Sequence, residues 1–230
     1  AESTVAIEIG EHVMYGSYQG EPVEWRVLDK KDGEILLLSE YGLDAQPFDT
    51  SGKSRVDWKD STIRKWLNDD FYNSAFSEKE KENIVESKSE GFEEYNTSMN
   101  LTGGGKPYAF LERETEDKVF LLSNTELCAY FSEDPYPGCY SDPYAHKELL
   151  CYPTAYAKQQ LKTRYQTETC GWWLCNHVYE DDSVELVSAY GQGSGTSREN
   201  IKANTKSIAV RPAMWVTWQS DMEMVEANQQ

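Results

Sequence analysis

Apolar and polar positions alternate over Val23–Leu28, and Val13–Tyr18 reads as a strand before it, with the turn Gln19-Gly20-Glu21-Pro22 between them. Period-two alternation beside a turn-forming tetrad predicts two antiparallel strands. Asp32-Gly33 follows, a dipeptide suited to a tight hairpin turn, and leads into Ile35-Leu36-Leu37-Leu38-Ser39. An unbroken apolar run of that length predicts a central strand buried on both faces. The pattern then changes period. Ile63, Trp66 and Leu67 share one helical face behind Ser61 as N-cap, and Phe71 extends the stripe. Ser77-Glu78-Lys79-Glu80 reads as a capping box opening a second short helix that carries Ile84 and Val85 inward. On such a face Trp58 and Trp66 read as core residues instead of sugar-stacking platforms.

From Ser87 to Pro107 periodicity is lost, and Gly103-Gly104-Gly105 lacks the lysine and hydroxyl residue of a phosphate-binding loop. Val119–Leu122 predicts a strand, and Ser123-Asn124-Thr125-Glu126 a second capping box opening a helix through Phe131. A loop rich in tyrosine, proline and glycine spans Glu133 to Pro153, before Thr154 caps a helix over Ala155–Leu161. Cys170–Val178 reads as a strand, with Val184–Tyr190 as its hairpin partner and Ile208–Val216 as the last strand. Alternation along the first of these sends Trp172, Leu174 and Asn176 to one face, and Trp173, Cys175 and His177 to the other. One face can feed a core while the other meets a second layer or a ligand. Sheet, helices, loops and sheet again predict one α+β domain over residues 1–230, its core at about 10–218.

Charge narrows the partners. Forty acidic against 22 basic residues give a net charge of −18, which disfavours nucleic acid and anionic membranes while leaving cationic partners open. No apolar run approaches the ~20 residues of a membrane-spanning helix. Ala1-Glu2-Ser3-Thr4 resembles a trimmed N-terminus, so an export signal or lipid anchor is expected to have been removed. Five cysteines leave at least one thiol unpaired within a chain. Cys139 and Cys151 enclose the proline-rich loop, where a bridge would stiffen it. Cys128 and Cys175 read as buried free thiols, and Cys170 and Cys175 lie too far apart along an extended strand to bond to one another.

Candidate chemistry concentrates beside the Trp172 strand. Trp173, Asn176, His177 and Tyr190, with Tyr140 from the proline-rich loop as a stacking wall, combine aromatic faces with an amide and an imidazole. That set suits a glycan or protein ligand, although Trp173 as plain core and Tyr136, Tyr140 and Tyr144 as core caps explain the same residues. His177 also lies near Glu180, Asp181 and Asp182, but no complete calcium-loop pattern is present. Calcium is the one cofactor left open, and a solvated acidic turn accounts for the cluster. Arg211, in a strand expected to be buried, calls for a salt bridge or backbone acceptors.

Taken together, Trp25-Arg26-Val27-Leu28-Asp29, Leu37-Leu38-Ser39, Trp58-x-x-Ser61-x-Ile63-Arg64-x-Trp66-Leu67-Asn68, Phe71-Tyr72-Asn73-x-Ala75-Phe76-Ser77, Trp172-Trp173-Leu174 and Val210-Arg211-Pro212-Ala213-x-Trp215-Val216 resemble an uncharacterised family of bacterial domains of unknown function. Members of that family are often found in secreted or surface proteins. The Trp-Trp-Leu and Val-Arg-Pro-Ala phrases also look like the terminal region of C-type-lectin-like and formylglycine-generating-enzyme-like folds. The resemblance implies a mostly antiparallel sheet with its N- and C-terminal strands together, short flanking helices and long loops. Relatives commonly continue Trp-Trp-Leu with Arg-Ser-Pro, where this chain has Cys175-Asn176-His177, so the role of that arginine does not carry over. The expected function is an extracellular or cell-surface binding module. The alternatives are a copper-dependent oxidase of the formylglycine-generating type using Cys170 and Cys175, for which the surrounding motif is missing, and a purely structural or interaction domain.

Overall fold

The computed structural model describes residues 7–53, 55–88, 115–131, 147–161, 168–177, 183–191, 201–219 and 222–224. Three antiparallel strands open the fold: β1 (His12–Tyr18), β2 (Glu21–Lys31) and β3 (Glu34–Ser39). Gln19 and Gly20 turn the first hairpin, and Asp32 and Gly33 the second, all four with positive φ. That left-handed pair matches the twist of the strands it joins. Ile35 to Leu38 are at most 1% exposed, because β3 has a strand on either edge and side chains packed on both faces. The continuous apolar run therefore reports a central strand, as its pattern predicts.

Thr62–Ala75 forms one helical passage: α1 (Thr62–Trp66), a π turn at Leu67–Phe71, and α2 (Tyr72–Ala75). Ser61 caps it by accepting the Arg64 N–H. Its aromatic stripe meets β1, where Tyr18 packs on Trp66 and Phe71 with ring centroids 6.3 and 5.1 Å apart. Ser77 and Glu80 form the expected capping box on α3 (Glu78–Lys81). Ile84 and Val85 are not helical: Asn83 N–H closes the helix on Glu80 O, and the two residues form the short strand β4 against Val216 and Trp215. Their β-branched side chains suit a sheet edge better than a helix end.

Val119 to Leu122 are completely buried but make no continuous strand. Asn68 holds this segment by accepting from Lys118 N and Val119 N and donating to Val119 O. Phe120 then exchanges backbone bonds with Ala213, and Leu122 O accepts from Cys175 N. Ser123 and Glu126 cap each other at the start of α4 (Asn124–Phe131), as their spacing predicts. Thr154 caps α5 (Ala155–Gln160) through Ala157 N.

β5 (Trp172–His177) and β6 (Val184–Val187) form a separate antiparallel pair, and β7 (Ala213–Thr217) and β8 (Glu223–Met224) complete the larger sheet in the order β4-β7-β3-β2-β1-β8. β1 and β7 thus share one sheet, and β1 pairs directly with β8 through Val13 and Met224. Of the predicted last strand, Ile208–Val210 makes only single bridges, to Trp172 and Asp44, because this stretch ties the two sheets together. One hydrophobic core runs from Val13 and Trp25 through Phe48 and Phe71 to Trp172, Trp173 and Val216. The architecture is α+β with mostly antiparallel pairing.

Tyr15 donates its phenol to Glu80 O at 2.7 Å. Burial lifts that phenol from 10.0 to about 12; Glu80 and Tyr72 add to the shift and a hydrogen bond from Asn83 opposes it. A raised folded value means that stability is complete below pH 10 and is lost as pH rises towards 12. Denaturant unfolding across this range should show that loss, and Tyr15→Phe should flatten part of it. An unchanged slope in the variant would mean that Tyr15 contributes nothing to it.

Candidate functional site

The residues after β3 sit at a crossing of three chain segments. Ser39 N–H donates to Pro212 O, Glu40 N–H to Glu24 O, and Gly42 N–H to Tyr152 O, while Thr154 N–H returns to Gly42 O. Gly42 and Pro153 form a parallel bridge, which sets the backbones of Tyr41 and Tyr152 side by side. Both rings are on the surface, 39% and 48% exposed. Burial, and then the carboxylates of Glu24 and Glu40, hold the Tyr41 phenol above its ordinary value.

Beside Tyr41 lies an ion cluster. His12 Nδ1 is 2.7 Å from Glu24 Oε1, and Arg26 donates Nε and Nη2 to the two Glu40 oxygens at 3.1 Å each. Side chains of this group are 22–23% exposed, so water still reaches them. Arg211 lies deeper, with no exposed surface, and donates Nε to Ser39 O at 2.8 Å. Its guanidinium carbon is 5.1 Å from the Trp172 ring centroid, and Nη2 is 3.8 Å from Glu40. Backbone and carboxylate contacts are the partners its sequence setting requires, yet Nη1 and Nη2 make no hydrogen bond among the described residues.

The residues singled out beside β5 are distributed differently from the expected open platform. Trp173 has no exposed surface, donates Nε1 to Gln46 O at 2.9 Å, and stacks edge-on against Phe48. Asn176 is 3% exposed, and its Oδ1 accepts the Asn124 N–H at 2.6 Å, satisfying a donor at the first turn of α4. Both residues are core in this arrangement, because β5 is packed on both faces: Cys170 to Asn176 are all buried. Tyr190 is the surface member, 64% exposed on the turn after β6. The side chain of His177, the whole of Tyr140, the acidic turn Glu180–Asp182 and the triple glycine at 103–105 lie outside the described residues.

Among the thiols, Cys151, Cys170 and Cys175 are buried, and Cys151 and Cys170 are not bridged to each other. Cys139 and the side chain of Cys128 lie outside the described residues, and with Cys139 the expected bridge to Cys151. The sulfurs of Cys170 and Cys175 have different neighbours: Cys170 Sγ lies 3.4 Å from Cys151 O, and Cys175 Sγ 3.8 Å from Asn176 Oδ1. Tyr41, Tyr152 and the Cys151–Cys170 neighbourhood were not singled out by the pattern. Tyr152 has one local signal, its place before Pro153, but nothing in the spacing pairs it with Tyr41.

The fold is thus an α+β domain with a filled core and a surface tyrosine pair beside a charged cluster. The chain belongs to a family described as a domain of unknown function (DUF6273), whose model matches residues 32–218. No curated protein and no solved structure matches it. No helix among the described residues is long and apolar enough to cross a membrane.

The burial of Trp173 makes a measurable claim. Trp173→Ala should lower unfolding free energy by about 3–5 kcal/mol, through lost burial and an uncollapsed cavity. Trp173→Phe keeps an aromatic ring but loses the Gln46 bond and part of the indole volume, at about 1–3 kcal/mol. Urea titration of both variants separates this from a surface role, which predicts near wild-type stability for each.

Proposed function

We propose that this protein is an extracellular or cell-surface binding module that recognises a glycan through aromatic side chains on its connecting segments. The observation that carries the reading is the exposed pair Tyr41 and Tyr152, whose backbones the Gly42–Pro153 bridge sets side by side, with Glu24 and Glu40 close to Tyr41. A sugar ring can lay its C–H face on a tyrosine while its hydroxyls donate to adjacent carboxylates. Two χ angles per tyrosine keep the entropic cost of ordering such a platform low. Tyr190 is the residue of the β5 neighbourhood that joins this reading, since its ring is free of the core. One side-chain and one backbone hydrogen bond connect its segment towards the tyrosine pair: the Thr169 hydroxyl donates to Ala189 O, and Cys170 N–H to Cys151 O.

The finer fold reading, a C-type-lectin-like core, is supported by the β1–β8 pairing and by the amount of chain carried in connections between strands. Export from a bacterial cell is part of the same proposal, resting on the family resemblance of the sequence. The net charge of −18 supports neutral or cationic ligands over anionic ones.

The test is a glycan array probed with the whole chain, followed by calorimetry on retained sugars. Tyr41→Ala and Tyr152→Ala should each weaken affinity about tenfold, or about 1.4 kcal/mol, and Tyr190→Ala should act in the same direction. Unfolding free energy should move by about 1 kcal/mol or less, well below the cost of Trp173→Ala, because both rings are partly exposed. Full affinity in both Tyr41→Ala and Tyr152→Ala would remove this site. Binding of a protein but no glycan would replace the ligand class.

A further inference from the structure

Cys151 and Cys170 converge on one point of the fold. Cys170 N–H donates to Cys151 O at 2.8 Å, and Cys170 Sγ lies 3.4 Å from the same carbonyl. A backbone bond of this kind in extended chain holds the two Cα atoms about 5–6 Å apart, within the span of about 4.4–6.8 Å that a disulfide requires. The sulfurs also meet over Gly42: a Cβ there would be 3.4 Å from Cys151 Sγ and 3.3 Å from Cys170 Sγ. Glycine at this position leaves the space the two thiols occupy.

Arg211 faces the pair. It is fully buried, and among the described residues both terminal nitrogens lack a hydrogen-bond acceptor while Nε is taken by Ser39 O. Idle buried N–H groups on a cation favour negative charge beside them. Burial alone would push the Cys151 thiol up, but the Cys170 thiol, the Arg211 charge and the Gly42 backbone outweigh it and draw Cys151 down. The hydrogen bond to Cys151, together with burial, pushes Cys170 up. Arg211 thus favours the thiolate form at Cys151, while Cys170 Sγ reaches the Cys151 carbonyl.

We propose that Cys151 and Cys170 form a redox-active pair that closes to an intramolecular disulfide by exchange with a small-molecule disulfide. The Cys151 thiolate attacks one sulfur of glutathione disulfide, forming a mixed disulfide and releasing one glutathione thiolate. Cys170 loses its proton and attacks Cys151 Sγ, which forms the protein disulfide and releases the second glutathione. Two protein thiols lose two protons and two electrons, and one glutathione disulfide becomes two glutathione thiols. Since Cys151 and Cys170 are 0% and 3% exposed, the exchange runs while the chain folds or during local opening. The closed loop carries α5 and its Thr154 cap, tying them to the start of β5. In the closed state Cys151 carries no charge, and Glu40 is left as the carboxylate beside Arg211. This inference does not depend on the binding reading.

The whole chain, reduced and denatured, is refolded in glutathione disulfide with glutathione, blocked with N-ethylmaleimide, and digested without reductant. The expected product is a peptide pair joined through Cys151 and Cys170 and separated by dithiothreitol. The same pair should form in Cys175→Ser. In Cys170→Ala, Cys151 should instead retain glutathione, because the second attack is missing. Wild-type protein in which Cys151 and Cys170 are both alkylated, or in which Cys151 is joined to Cys139, would overturn the proposal. The wild-type map decides even if a variant does not fold.

Discussion

A fully buried guanidinium is the constraint around which the rest of this structure is arranged. Removing a charge from water costs several kcal/mol unless fixed partners replace the solvent, and Arg211 draws its partners from every neighbouring layer. Ser39 O comes from the end of β3, the carboxylate of Glu40 from the next residue, and the face of Trp172 from β5. The arginine also lies within the electrostatic reach of Cys151 and Cys170. None of these groups could shift far without leaving the cation less compensated, so the large sheet, the β5–β6 pair and the 151–154 segment are held in one relation. Burial pulls the Arg211 value down while Cys151 and Glu40 pull it back up. That opposition is why a thiol pair, a carboxylate and a cation occur together at the crossing.

Tryptophan placement follows from the same crowding. Trp25, Trp172 and Trp173 have no exposed surface, and each indole N–H finds a backbone carbonyl: Tyr15, Leu149 and Gln46 respectively. Trp58 donates instead to the buried carboxylate of Asp117, which also accepts from Arg64 Nε. An indole satisfied in this way gains its burial without an orphaned donor. These rings fill the core together with Tyr15 and Tyr72, while Tyr41, Tyr152 and Tyr190 lie at the surface, where a phenol can reach water. Tyr18 shows the intermediate case, packed among Trp66, Phe71 and Tyr156 while its hydroxyl donates to Asp44 at 2.6 Å. The surface pair at Tyr41 and Tyr152 exists because two segments pair at Gly42 and both present the preceding residue.

Much of the local structure was legible in the residues themselves, because it depends on short-range chemistry. The Asp32-Gly33 turn, the Ser61 and Thr154 caps, the capping boxes at Ser77 and Ser123, and the double-sided burial of Ile35–Leu38 follow from φ preferences, side-chain reach and apolar periodicity. Arg211 in a buried strand also announced its need for acceptors. What the chain could not reveal locally is which faces would be covered. Alternation along β5 offers Trp173 and Asn176 to either solvent or a second layer, and only packing against Phe48, Gln46 and α4 assigns them to the core. Ile84–Val85 became an edge strand because β7 was there to receive them, and Val119–Leu122 lost regular pairing to the side chain of Asn68. The meeting of Cys151 with Cys170, and of Tyr41 with Tyr152, is a matter of long-range topology: contacts between residues far apart in sequence leave no periodic trace, and the tertiary structure alone brings them together.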